Sequence, residues 1–298
     1  MRLPAAAICL FLTFPGLSKA EGPGPSVLDA TMSRWVTYQN QRLHSKSFGY
    51  GEPALVFVHG FATDMTFFRE QVPAFQKRIR TVLVDLPGHG RSDKPFRGYS
   101  LEIFARSLDA MLTDAGVGKA ILVGQGMGMP VARTYARLFP AKVAALVALD
   151  GPLWPFAVTP AERAAALAPW NAPTYKQALG RLADDAFPKG STAPSWVRAQ
   201  VRETLLATPL TVATGAMEAQ LDPAAWKEEK VTVPLLVFVP ATARFTKADE
   251  ARLKTLAPGA EVLRVAGAGP FLMLEKPDAV NAPLLDFLSR HGFLRAVR

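Results

Sequence analysis

The chain has 298 residues, 49% of them hydrophobic and 20% charged, with a formal charge of +9. That length and apolar content suffice for one large α/β core carrying an inserted sub-domain. The basic residues are scattered, the densest cluster being Lys77-Arg78-Ile79-Arg80, and none of it forms the basic run interleaved with aromatics that tracks nucleic acid, so a nucleic-acid partner is excluded.

Residues 1–20 read as a secretory signal peptide. Arg2 supplies a positive start, residues 5–14 an apolar run, and Ser18-Lys19-Ala20 a small-x-small cleavage site. The run is too short for a spanning helix, so no transmembrane segment is expected once this leader is removed. An uncleaved N-terminal anchor is the alternative. The pattern predicts an exported protein, periplasmic or secreted. Cys9, the single cysteine, lies in the signal, which leaves the remainder without a thiol nucleophile or a disulfide. Residues 21–33, rich in Gly and Pro, read as a flexible leader.

Residues 35–38 and 42–47 predict an opening hairpin. Short apolar runs at 54–58, 80–85, 119–123, 143–149, 234–239 and 261–265 alternate with helical patterns, which predicts a mostly parallel sheet flanked by helices on both faces. Ser100 is placed to cap a helix whose Leu101, Phe104, Leu108 and Met111 share one face. Pro140 ends another helix, and Pro277 sits where a first helical turn tolerates proline.

Between residues 151 and 230 the strand rhythm stops. Thr159-Pro160-Ala161-Glu162 has capping-box spacing, and further helices are predicted at 174–186, 195–207 and 209–219. The core is therefore assigned to 34–150 and 231–298, with 151–230 as a helical insertion. Its aromatics, Trp154, Phe156, Trp170, Tyr175, Phe187, Trp196 and Trp226, are candidates to line an apolar pocket, although most should pack helices together.

Four ordered blocks mark the chemistry-bearing positions. They are Leu55-Val56-Phe57-Val58-His59-Gly60-Phe61, Asp85-Leu86-Pro87-Gly88-His89-Gly90-Arg91-Ser92-Asp93-Lys94-Pro95, Gly124-Gln125-Gly126-Met127-Gly128, and Gly267-Ala268-Gly269-Pro270-Phe271-Leu272-Met273-Leu274-Glu275-Lys276-Pro277. In this order and spacing they resemble α/β-hydrolases of the cap-domain type, over nearly all of the chain after residue 30. The resemblance makes 151–230 the cap. It also makes the third block the frame of a nucleophile elbow, G-x-S-x-G, with Gly126 where the serine belongs.

By the same resemblance Pro270 fills the histidine position and Ala243 the aspartate position. Some relatives place the acid after the preceding strand, which makes Asp150 a candidate acid. Glycine carries no nucleophile, alanine cannot orient an imidazole, and proline cannot carry a proton. The four histidines are His44, His59, His89 and His291, and none falls at the base position. Without that base, ordinary Ser-His-Asp acyl transfer is unavailable. The implied oxyanion donors are the backbone N–H groups of Phe61 and Met127, which do not depend on side-chain identity. They would serve a carbonyl, a carboxylate or a small anion. No metal is expected, because no His/Cys/Asp/Glu cluster has ligand spacing, and no cofactor, because the elbow lacks the Lys-Ser/Thr of a phosphate loop.

These readings predict an exported pseudo-hydrolase that binds a small apolar or carbonyl-containing ligand through Phe61, Gly126, Met127 and Trp154 without cleaving it. Two alternatives stay open. One is a hydrolase acting on ester-like substrates through an atypical constellation, with Asp150 or Asp64 activating water. The other is a protein-interaction scaffold, whose partner the sequence does not name.

Overall fold

In the computed structural model the described residues are 26–156, 159–187, 189–227, 229–240 and 245–295. Among them, eight strands form one sheet: β1 (Arg34–Tyr38), β2 (Gln41–Phe48), β3 (Ala54–Val58), β4 (Thr81–Asp85), β5 (Ala120–Gln125), β6 (Val143–Leu149), β7 (Leu235–Pro240) and β8 (Glu261–Val265). Their spatial order is β1-β2-β4-β3-β5-β6-β7-β8. The β1–β2 and β2–β4 pairs are antiparallel and the remaining pairs parallel. The hairpin closes through Gln39 and Asn40 at φ 48° and 60°, the left-handed pair that matches the natural strand twist.

Strands β3, β4 and β5 are buried along their whole length, as parallel strands covered on both faces must be. Alternation sends Leu55 and Phe57 to one core and Val56 and Val58 to the other. The helices are α1 (Val27–Ala30), α2 (Val72–Phe75), α3 (Leu101–Asp114), α4 (Gly128–Leu138), α5 (Pro160–Leu167), α6 (Tyr175–Asp185), α7 (Ser195–Ala207), α8 (Leu210–Leu221), α9 (Lys247–Leu256), α10 (Leu272–Glu275) and α11 (Pro277–Arg290). Residues of α3 and α4 fill the Val56 side of the sheet, and those of α11 the Phe57 side. Ser100 Oγ accepts from Ile103 N at 3.1 Å and starts α3.

Helices α5 to α8 lie between β6 and β7 and form the cap. Thr159 and Glu162 close the capping box that opens α5. Leu179, Val197 and Val201 anchor α6 and α7 onto the core that contains Phe67 and Phe271.

The signal-peptide segment, with Cys9, lies outside the described residues. The stretch from residue 26 corrects the expectation of a flexible leader up to residue 33. Ser26 caps α1, Leu28 is buried, and Lys46 Nζ donates to the carbonyls of Leu28 and Thr31. Gly and Pro content misled because it describes residues 21–25, whereas Leu28 and the two carbonyls find partners on β2.

Candidate functional site

Register decides where the site can be. Val58 pairs with Gly124, Gln125 with Leu149, and Leu149 with Phe238. The carboxyl ends of β3, β5, β6 and β7 are thus level, and the loops that follow them converge, as open α/β sheets place their ligand sites. Those loops carry Phe61, Gly126, Met127, Asp150 and Trp154.

Gly126 adopts φ +48° in the sharp turn between β5 and α4. The three elbow glycines differ sharply in the space around them. A Cβ on Gly124 would lie 2.5 Å from Met129 N, and one on Gly128 only 2.0 Å from the Val58 carbonyl oxygen. One on Gly126 would meet nothing nearer than Gly60 Cα, at 3.8 Å. Close packing therefore forbids a side chain at the two flanking glycines, while the central position retains room for one.

Beneath the cap the turn opens into a cavity of about 490 Å³, lined by Phe61, Gly126, Met127, Asp150, Trp154 and Pro270 among others. Ala243 lies outside the described residues. Phe61 meets Trp170 edge-on at 4.9 Å, and Trp154 stacks with Phe245 at 6.5 Å. Among the described lining residues there is no Ser, Thr, Cys, Tyr, His, Lys or Arg. The backbone N–H groups of Phe61 and Met127 have no acceptor among the described residues.

Of the cap aromatics, Trp154, Phe156 and Trp170 line the cavity. Tyr175, Phe187 and Trp196 pack against the core instead. Trp226 lines a separate cleft of about 260 Å³ beside α4, and its indole donates to the Gln220 carbonyl at 2.7 Å. In that cleft Arg133 is spent on the carbonyls of Leu153, Lys227 and Glu229.

The histidines have other duties. His59 Nδ1 donates to the Gly60 carbonyl at 2.8 Å and its Nε2 accepts from Leu86 N at 3.0 Å. His89 Nδ1 donates to the Pro87 carbonyl at 2.9 Å. Burial lowers both, His89 to about 3, so both rings are neutral. A Ser-His-Asp line does exist, but on β2 and β4, to one side of the cavity. Ser33 Oγ donates to His44 Nε2 at 2.8 Å, and His44 Nδ1 donates to Asp85 Oδ2 at 2.7 Å. Burial alone would raise Asp85, yet hydrogen bonds from His44, Arg91 N and Met65 N hold its carboxyl below the ordinary value. None of the three residues lines the cavity, and the line docks the segment before β1. His291 ends α11, 3.9 Å from Glu261.

Of the two candidate water activators, only Asp150 is at the cavity. It follows β6 at φ +49°, and burial pushes its carboxyl up to about 7. Asp64, by contrast, caps the turn at Met65–Phe68, where its Oδ1 accepts from Thr66 N and Oγ1 at 2.8 and 2.5 Å. It does not line the cavity, which removes it from the atypical constellation. The reason is local: an Asp two residues before Thr66 satisfies that turn's amide.

Sequence reasoning missed Gln125, the residue between the glycine that ends the strand run and the elbow. It is 4% exposed, lines the cavity, donates from Nε2 to the Pro270 carbonyl at 3.1 Å, and leaves Oε1 buried without a donor. Its place inside the elbow motif was the available signal. Among the described residues no group of His, Cys, Asp or Glu is arranged to hold a metal ion.

The level strand ends, the elbow and the inserted cap define an α/β-hydrolase, and comparison with known proteins gives the same class. A family model described as alpha/beta hydrolase fold matches residues 53–277. The chain belongs to the α/β-hydrolase fold family. It is 27% identical over 288 residues to the dihydrolipoyllysine-residue acetyltransferase component of the acetoin cleaving system of Pseudomonas putida, covering 94% of this chain and 74% of that one. It is 33% identical over 122 residues to 2-(acetamidomethylene)succinate hydrolase of Mesorhizobium japonicum, a match that spans 41% of this chain and 44% of that protein. Among solved structures, Est816, described as an N-acyl homoserine lactone degrading enzyme, superposes with a TM-score of 0.71 at 25% identity, covering 85% of this chain and all of that one. An esterase from Exiguobacterium antarcticum gives 0.76 at 16% identity over 87% of this chain and all of that one, a likeness of fold alone.

Proposed function

We propose that this chain is an exported pseudo-hydrolase that holds a small, largely apolar, carbonyl-containing ligand in the cavity under its cap without cleaving it. The observation that carries the reading is the elbow itself. Gly126 stands at the nucleophile's place with room for a side chain it does not have, in a cavity whose described walls offer neither a hydroxyl nor an imidazole. The unspent N–H groups of Phe61 and Met127 are oriented by backbone packing alone, so they can receive a carbonyl oxygen although no nucleophile follows it. The activities for which two relatives are named, on an acetamido compound and on N-acyl homoserine lactones, support a carbonyl compound as the ligand class. Export rests on the leader at residues 1–20.

The test pairs turnover with binding. Hydrolysis of p-nitrophenyl acetate is expected at or below the roughly 10³–10⁴-fold over water that an oxyanion hole and binding alone supply. A kcat near ~10 s⁻¹, an ordinary enzyme median, overturns the reading. Export is checked by fractionating cells that express the full chain and sequencing the mature N-terminus.

One observation favours a second reading, in which the protein is a hydrolase of ester-like compounds. Asp150 borders Gly126 and titrates near 7, where a carboxylate can serve as a general base towards water. Turnover that disappears in Asp150→Asn while the fold persists would decide for it.

A further inference from the structure

Both formal charges on the described cavity wall are negative, Asp150 and Asp249, in a chain whose overall charge is +9. The two carboxylates are not equivalent. Asp249 Oδ2 accepts from Thr246 N and Thr246 Oγ1, each at 2.7 Å, within the capping box of α9. The Asp150 carboxylate has no hydrogen bond and no ion pair among the described residues. Burial is what raises it to about 7, the state of a carboxylate that lacks a counter-ion.

The walls add a second element. The edge-on Phe61–Trp170 pair presents aromatic surface to the cavity, whereas the Trp154 and Phe245 rings already carry guanidinium groups, Arg252 at 5.0 Å and Arg264 at 5.6 Å. Ring faces attract cations, and more strongly where water is excluded.

We propose that the cavity selects an organic ammonium ion, with its cationic nitrogen against the Asp150 carboxylate and its apolar body on the Phe61 and Trp170 rings. This rests on the reading of the cavity as a ligand site and narrows it to one charge class. A carboxylate ligand, which the oxyanion donors alone would allow, meets two like charges here and is disfavoured. An ammonium ion relieves the cost of an unpaired buried carboxylate.

The test is calorimetric titration of the full chain at pH 8 with three probes of similar size. They are benzyltrimethylammonium, whose charge does not vary with pH, the neutral ketone 4-phenyl-2-butanone, and the anion phenylacetate. The cation is expected to bind about tenfold more tightly than the ketone, and phenylacetate weakest of all. Asp150→Asn keeps the side-chain volume and suits the positive φ at this position. It should weaken the cation about tenfold and leave the ketone within about twofold. Trp170→Leu should weaken the cation about threefold or more. Equal affinities for cation and ketone in the parent protein overturn the ammonium proposal, and need no variant to do so. So does an unchanged cation affinity in folded Asp150→Asn. In either case a bound ketone leaves the ligand-site reading standing. Binding of none of the three probes overturns both.

Discussion

Gln125 and Pro270 stand 145 positions apart and are joined by one hydrogen bond, from Nε2 of the glutamine to the proline carbonyl at 3.1 Å. The bond ties the elbow loop to the loop that carries Pro270, so two loops distant in sequence are held in mutual position beside the cavity.

Removing that tie should be felt as stability. Gln125→Ala leaves the Pro270 carbonyl without its donor and opens space beside Gly60. A loss of about 1–3 kcal/mol is expected, read as a lower denaturant midpoint at unchanged slope. A midpoint equal to that of the parent would show that the two loops are held by other contacts.

The elbow glycines should rank by the room around them. Gly126→Ser needs only its positive φ tolerated, at about 1–2 kcal/mol. Gly128→Ala drives a methyl against the Val58 carbonyl, and Gly124→Ala drives one against Met129 N. Each should cost about 3 kcal/mol or more, or abolish folding. Thermal melts of the three variants give the order directly, and Gly126→Ser as the least stable of them would contradict it.

Catalysis should return only as a unit. Gly126→Ser alone is expected to add little, because an unassisted hydroxyl is a weak nucleophile. Gly126→Ser, Ala243→Asp and Pro270→His together should give a measurable esterase, with a gain far above the sum of the single changes. Pro270→His keeps the carbonyl that Gln125 uses, and adds a backbone N–H and a freer φ. The assay is p-nitrophenyl acetate hydrolysis on variants shown to be folded. Full activity from Gly126→Ser by itself would point to a base already in place, with Asp150 the first residue to remove.

Asp150 should leave a signature in the pH dependence of stability. Its folded value of about 7 lies above the ordinary 3.8, so the folded state binds more protons between those limits. Its contribution is fully present below about pH 4 and is lost as pH rises through 7. His59 and His89 act in the opposite sense, because burial lowers both and their contribution is lost on acidification below 6.5. The difference between Asp150→Asn and the parent isolates the carboxyl. The two melting temperatures should agree near pH 4, and the variant should gain steadily to a plateau above pH 7 or 8. Asp249, from α9, is the other charged group on the described cavity wall and is common to both proteins. A difference that does not change with pH would mean that Asp150 is solvated or paired.

What the sequence determined by itself is whatever depends on residue identity at a short-range motif. Gly126 lacks a nucleophile whatever surrounds it, and Pro270 cannot carry a proton. Ser100, Thr159 and Pro277 mark helix starts because capping is decided within one turn. The strand runs lie within a residue or two of β3 to β8, since apolar runs bounded by turn residues reflect burial on both faces. What tertiary structure alone decided is which side chains meet across the sheet ends. Nothing local distinguishes Trp154, which faces the cavity, from Trp196, which packs on the core. Leu28 and Ser33 look like leader until β2 supplies their partners. Asp64 and Asp150 are equivalent as letters, but one caps a turn and the other is left alone in an apolar cavity. Burial, partner and charge environment are properties of separate segments brought together in space, 145 positions apart for Gln125 and Pro270, and no pattern within either segment encodes them.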